Sequence, residues 1–157
     1  MRFETPFGPA WASVDASGAV TAFNFGAGDG RGFNAEVARQ VEEFFAGKRE
    51  NFDFRLAPKG STFQKRVWDE LVRIPFGETI SYGELARRIG NPAASRAVGR
   101  ANATNPIALI VPCHRVIGTN GKLTGYAGGI ELKEKLLAWE RTSRLKGRLQ
   151  PILAALH

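Results

Sequence analysis

Residues 107–129, IALIVPCHRVIGTNGKLTGYAGG, set the chain's single cysteine, Cys113, directly before His114, one of only two histidines. The apolar run Ile107-Ala108-Leu109-Ile110-Val111 predicts a buried strand that stops at Pro112, so Cys113 falls where a rigid element gives way to a loop. Thr119-Asn120-Gly121-Lys122 predicts a tight turn between two short extended pieces, and Gly125, Gly128 and Gly129 permit a second, closely packed bend. A thiol on a shaped loop is a candidate reactive group. Most free cysteines are instead small, inert core residues, so the surroundings of this stretch must decide.

The chain has 157 residues and 43% hydrophobic content, enough for one or two small domains with a real core. No apolar run approaches the ~20 residues of a membrane span, and Met1-Arg2-Phe3-Glu4 lacks the pattern of a secretory signal, so a cytoplasmic protein without a membrane partner is expected. One cysteine excludes an internal disulfide and suits a reducing compartment. One cysteine and two histidines also leave too few soft ligands for a tetrahedral zinc site. No metal and no cofactor are expected. The formal charge is +7, unevenly spread: residues 1–58 hold 6 Lys/Arg against 8 Asp/Glu, and residues 59–157 hold 16 against 7. An acidic front joined to a basic back that carries the cysteine points to a polyanion, with nucleic acid the leading candidate.

Residues 10–25 predict a hairpin around Asp15-Ala16-Ser17-Gly18. Gly26 to Gly32 is glycine-rich but lacks the Gly-Lys-Ser/Thr of a phosphate-binding loop. Asn34 can cap a helix with Val37, Val41, Phe44 and Phe45 on one face, ending at Gly47, and the alternation of Phe52, Phe54 and Leu56 predicts a strand over 51–56. Residues 1–58 thus read as a small α/β domain with a scaffolding role. Ala57 to Gly60 is the expected linker to a domain over 59–157, giving an α+β fold overall.

In that second domain Ser61 and Gln64 have capping-box spacing for a helix from about Thr62 to Arg73, buried through Phe63, Val67, Trp68 and Leu71. Ser81 and Glu84 repeat the spacing for a helix to about Ile89, Gly90-Asn91-Pro92 forces a turn, and a further helix follows from Ala93. Two short helices about a glycine-containing turn are the helix-turn-helix pattern, whose second helix is usually the one offered to DNA. That helix, Ala93 to Ala103, is almost all small residues apart from Val98 and two arginines. It can approach a nucleic-acid backbone closely, with Ala94, Ser95, Arg96 and Arg100 as the expected contacts. It lacks the cluster of side chains needed to read several base edges, so sequence-tolerant, minor-groove binding is expected. Thr104-Asn105-Pro106 then turns the chain into the strand leading to Cys113, which is thus expected one turn and one strand away from the DNA-facing helix.

From Thr62-Phe63-Gln64 onward the sequence resembles the O6-alkylguanine-DNA alkyltransferase family. The matching residues include Ser81-Tyr82-Gly83, Asn91-Pro92, Arg96-Ala97-Val98-Gly99, Asn105-Pro106, Pro112-Cys113-His114-Arg115-Val116, Gly125-Tyr126-Ala127-Gly128-Gly129, and Lys133 through Leu136-Leu137 to Glu140. They span nearly all of residues 60–140 in order. The resemblance implies a variable N-terminal domain and a C-terminal helical domain with a helix-turn-helix and an active-site loop. It implies that the protein, a monomer away from DNA, flips a damaged base out of alkylated double-stranded DNA, and that Cys113 takes and keeps the alkyl group from O6-alkylguanine, with O4-alkylthymine a second candidate lesion. Arg96 would fill the vacated stack, Tyr82 would donate towards the purine ring nitrogen, and Asn105 would tie the DNA helix to the active-site strand. The backbone carbonyls of Cys113 and Val116, with the loop of Tyr126, Ala127 and Gly128, would hold the flipped base. Arg115 is placed at this pocket, and a structural salt bridge is an equally good account of it.

The chemistry can be argued beside the resemblance. A thiolate suits displacement at an alkyl carbon, but an ordinary thiol with pKa ~8.5 is mostly protonated at neutral pH and needs a base. His114 is the available one, since His157 is the last residue. Adjacent side chains diverge, so a bridging water is the expected link from Cys113, with Glu140 orienting the imidazole. The thioether product has no route back, so one protein would repair one lesion. Three rivals differ in class: an alkyltransferase-like lesion binder, a helix-turn-helix regulator and a cysteine hydrolase. The lesion binders of this kind replace the reactive cysteine, which is intact here. A helix poor in base-reading side chains argues against the regulator, and the lack of a distant histidine other than His157 argues against the hydrolase.

Overall fold

The computed structural model describes residues 1–123, 126 and 128–155. The chain opens with a three-stranded antiparallel sheet, β1 (Arg2–Thr5), β2 (Gly8–Val14) and β3 (Val20–Phe25), in the order β1-β2-β3. The hairpin between β2 and β3 forms as its turn residues dictate: Asp15 Oδ1 accepts from the Ser17 and Ala19 amides at 2.9 and 3.1 Å. β1 adds a strand that the sequence pattern did not announce. Helix α1 (Ala35–Phe45) starts at Asn34, whose side chain accepts from the Glu36 and Val37 amides, and buries Val37, Val41 and Phe44.

The strand expected over 51–56 does not form. Only Leu56 makes a bridge, to Val20. The reason lies in α1: the buried Gln40 accepts the Asp53 amide at 3.0 Å, so a side chain takes the place of a strand partner. The apolar alternation is still used, with the Phe52 ring 5.0 Å from that of Phe44.

Helix α2 (Thr62–Val72) begins with the full capping box of Ser61 and Gln64. Strand β4 (Ile80–Ser81) leads into α3 (Tyr82–Arg88), where Ser81 Oγ accepts from the Glu84 amide at 3.0 Å. The second half of the expected box is absent, because the Glu84 carboxylate pairs with Arg87 and Arg88 instead. Gly90, at φ +81°, turns the chain through a short 3-10 segment (Pro92–Ala94) into α4 (Ser95–Ala103). Trp68 Nε1 donates to the Ala101 carbonyl at 2.8 Å and thereby fixes α4 against α2. Strand β5 (Val116–Ile117) pairs in parallel with β4, and the long helix α5 (Ile130–Ala155) closes the domain.

The run 107–111 is buried as expected but is not a strand. Ile107 makes one bridge to Phe23, and the chain then coils, with the Val111 amide donating to the Ile107 carbonyl at 3.0 Å and Leu109 at φ +69°. Asn105 is the cause. Its Oδ1 accepts from the Ile107 amide at 2.9 Å and its Nδ2 donates to the Val111 carbonyl at 2.8 Å, which closes the segment on itself. The turn over 119–122 forms, with the Gly118 amide bonded to the Lys122 carbonyl at 2.8 Å; the piece before it is a strand, and the piece expected after it lies partly outside the described residues.

One hydrophobic core runs through both parts of the chain. β3 grips the segment before Cys113 directly: the Phe23 amide donates to the Pro106 carbonyl at 3.0 Å, and the Ala108 amide to the Phe23 carbonyl at 2.9 Å. Trp139 of α5 packs between Phe7, Phe44, Phe45 and Phe76, with ring centroids 5.2 to 6.1 Å away. Among the described residues no helix is long and apolar enough to cross a membrane.

Candidate active site

Cys113 opens a single 3-10 turn, Cys113–Arg115, between the coiled segment and β5, and only 5% of its surface is exposed. Side chains in so tight a turn leave in different directions. His114 is buried in the core and meets α5, where its Nε2 lies 2.7 Å from Glu140 Oε2. Arg115 reaches the other carboxylate oxygen, Nε to Oε1 at 2.6 Å, donates through Nη1 to the Ile74 carbonyl at 2.7 Å, and lies over the Phe76 ring. Glu140, 1% exposed, therefore holds both residues that follow the cysteine. Of the two accounts open for Arg115, the geometry is that of the buried salt bridge.

The electrostatics follow from this burial. Desolvation pushes the Glu140 carboxyl up, but the hydrogen bonds and charges of His114 and Arg115 outweigh it and hold the group below the usual carboxylate range. Burial pushes the His114 imidazole down, against the pull of Glu140, and the charges of Arg115 and Lys133 push the same way as burial. The ring is thus neutral near pH 7. With Nε2–H donating to Glu140, Nδ1 carries the lone pair, and it is buried without a hydrogen-bond partner among the described residues. Burial also pushes the Cys113 thiol up, opposed by a hydrogen bond from the Asn105 side chain and by the charge of Lys133. An acid, an acceptor and an ion that holds the acceptor's orientation are therefore gathered in one buried site.

The remaining expected residues fall into two groups. Asn105, Val116 and Tyr126 are buried around Cys113, and the Tyr126 ring stands edge-on to His114 with centroids 6.4 Å apart. Gly128 is a close-approach position, since a Cβ there would meet the Tyr126 ring at 3.1 Å and Leu132 at 2.7 Å. Ala127 and Gly125 lie outside the described residues. On the outer side, Arg96 and Arg100 project from α4 into solvent, while Ala94 and Ser95 are half-buried at its start. Tyr82, at the first position of α3, is half-buried against Gly99 of α4.

Two buried polar residues were missed. Asn102, on the inner face of α4, donates through Nδ2 to the Cys113 carbonyl at 3.3 Å. Lys133, fully buried on α5, holds its ammonium 5.8 Å above the centre of the Tyr82 ring. Burial lowers Lys133 to about 8, with the charge of Cys113 opposing the shift. Helical spacing could have found both: Asn102 continues the buried stripe of Val98 and Ala101, and Lys133 precedes Glu140 by two turns.

Residues 62–142 match the family model described as "6-O-methylguanine DNA methyltransferase, DNA binding domain". A methylated-DNA–protein-cysteine methyltransferase of Methanosarcina acetivorans is 52% identical over 149 residues, which cover 88% of this chain and 95% of that protein. One of the same description from Mycolicibacterium paratuberculosis is 58% identical over 107 residues, 68% of this chain and 65% of that protein. The fold is similar to that of Mycobacterium tuberculosis OGT solved in complex with DNA, with TM-score 0.82 and 43% identity over 90% of this chain and 92% of that one.

Proposed function

The chain belongs to the 6-O-methylguanine DNA methyltransferase family, and we infer from that premise and from the site that it repairs alkylated DNA by moving the alkyl group onto Cys113. It is a methylated-DNA–protein-cysteine methyltransferase, and its DNA-binding domain makes DNA its partner. Because the chain holds one cysteine, the acceptor is Cys113. The observation that carries the reading is the buried His114 directly after that cysteine, its Nε2 held 2.7 Å from Glu140.

The roles of the individual residues are our assignment. The Cys113 thiol passes its proton through a bridging water to His114 Nδ1, and Glu140 stabilises the imidazolium that forms. The sulfur attacks the alkyl carbon, the carbon–O6 bond breaks, and its electron pair leaves with the guanine. Tyr82 donates to the purine ring as that charge develops, and the proton taken from the thiol returns to the base. The lesion leaves the duplex to reach the thiol, at a cost of a few kcal/mol that a weakened pair lowers. We assign Arg96, exposed on α4, to occupy the gap, and Ala94, Ser95 and Arg100 to meet the backbone. Tyr126, Ala127, Gly128 and Val116 shape the base pocket. The thioether is stable, so each molecule acts once. Residues 1–58 scaffold the site and residues 59–157 bind DNA and accept the alkyl group. The protein works as a monomer off DNA, and its need for a free thiol suits the reducing cytoplasm.

The test is intact-mass spectrometry after incubation with a duplex containing O6-methylguanine. One methyl mass on Cys113 is expected, and none in Cys113→Ala. An adduct that survives that substitution, or no adduct in the wild type, overturns the reading.

A further inference from the structure

The Cys113 carbonyl is the expected acceptor for the exocyclic amine of a flipped guanine, yet in the structure it is already occupied. It accepts from Asn102 Nδ2 at 3.3 Å and from the Val116 amide. A carbonyl oxygen has two lone pairs, and these two donors use both. The amide that fills the carbonyl carries an acceptor of its own. Asn102 is 1% exposed, and its Oδ1 is buried with no hydrogen-bond partner among the described residues. The orientation is not arbitrary, because the flipped amide would set Oδ1 against the Cys113 carbonyl, acceptor against acceptor. A buried acceptor without a donor therefore lies one planar amide away from the backbone of the nucleophile.

The chemistry of the lesion supplies what that acceptor lacks. Alkylation at O6 removes the hydrogen from the neighbouring ring nitrogen of guanine, so the exocyclic amine becomes the only N–H donor the base owns. An O4-alkylthymine has lost its ring N–H in the same way and carries no amine. It offers no N–H donor at all.

We propose that Asn102 Oδ1 receives the exocyclic amine of the damaged guanine and that Asn102 thereby sets a preference for guanine over thymine lesions. This rests on the alkyl-transfer reading above. A site built to bond a substrate N–H discriminates against an analogue lacking it, because its own polar group is left unpaired. Asn102 has a second task in the same geometry. It ties the inner face of α4, the DNA-facing helix, to the nucleophile.

The experiment measures single-turnover rates on two duplexes, one with O6-methylguanine and one with O6-methylhypoxanthine, the same purine without the amine. The wild type is expected to react roughly tenfold or more faster with the amine-bearing lesion. In Asn102→Leu that ratio should collapse towards one, whatever the absolute rates. A residue that only held the fold together would slow both substrates alike and leave the ratio intact. A wild type indifferent to the amine overturns the proposal without any variant, and so does an Asn102→Leu protein that keeps the wild-type ratio. Failure of the underlying reading looks different, since no Cys113 adduct would then form with either duplex.

Discussion

Glu140→Gln keeps the shape of the side chain and removes the charge that holds both His114 and Arg115. In the wild type one carboxylate oxygen lies 2.6 Å from Arg115 Nε and the other 2.7 Å from His114 Nε2. The variant turns one of those acceptors into a donor facing a donor and leaves the Arg115 guanidinium buried without a counter-charge. Breaking a buried pair from one side costs about 3–5 kcal/mol. The Ile74 carbonyl and the Phe76 ring still serve Arg115, so the lower end, about 3 kcal/mol, is the expected loss. With a urea slope of ~2 kcal/mol per molar, the unfolding midpoint falls by about 1.5 M. The pH dependence carries a second signature. The folded-state pKa of Glu140 is depressed, so its contribution is present above the unfolded value of about 4.3 and is lost as pH falls through the folded value. At that point the wild-type carboxyl is as neutral as the amide, and the gap to the variant should close. His114 is also depressed; an unfolded chain binds more protons there below about 6.5, so both proteins lose stability on acidification from that pH. Urea titrations followed by tryptophan fluorescence at pH 7 and below pH 4 measure both effects. A gap under 1 kcal/mol at neutral pH, or one that does not shrink in acid, refutes the reasoning, as would an Arg115→Met, Glu140→Gln double variant no more stable than Glu140→Gln alone.

Arg96→Ala should slow repair in duplex DNA far more than reaction with free O6-methylguanine, and equal losses on the two substrates would remove Arg96 from base flipping. Lys133, lowered to about 8, binds fewer protons folded than unfolded between there and its ordinary value, so stability relative to Lys133→Met should rise with pH across that window. Trp68→Phe removes the 2.8 Å bond to the Ala101 carbonyl and should cost about 1–3 kcal/mol, with faster amide exchange concentrated in α4. Uniform exchange across the domain would show that the indole is not a specific brace.

What the sequence disclosed, and what it withheld, divides along a physical line. Caps and turns are local, so Asn34, Ser61 with Gln64, and the hairpin at Asp15 could be read directly and formed. The two misplaced strands fail for one shared reason. In both, a side-chain amide, Gln40 on α1 or Asn105 just before the run, captured backbone groups that a ladder would have used. Apolar patterning reported burial correctly in 107–111 but could not report conformation. At the site, Cys113, His114 and Glu140 were legible through motif and resemblance, whereas the single destination of His114 and Arg115 on Glu140 depends on how α5 docks. Asn102 was passed over because a helix of small residues drew attention to its outer face.

The thiol's environment is set by that docking. Burial works against a thiolate and is opposed first by the Asn105 side chain and then by the charge of Lys133, which shares a helix with Glu140: the two lie seven residues, about 10 Å, apart along α5. Lys133 acts on Cys113 by its charge, and Glu140 holds His114, the base assigned above to the thiol. Shifting α5 along its axis would therefore move both influences together, and neither could be tuned alone. What fixes that axis is Trp139, next to Glu140 in sequence and wedged among Phe7, Phe44, Phe45 and Phe76. Three of those four rings belong to residues 1–58. The first part of the chain, which supplies none of the groups assigned to the chemistry, thus acts on it in two ways: β3 holds the segment before Cys113, and the aromatic cluster holds the helix that sets its charge.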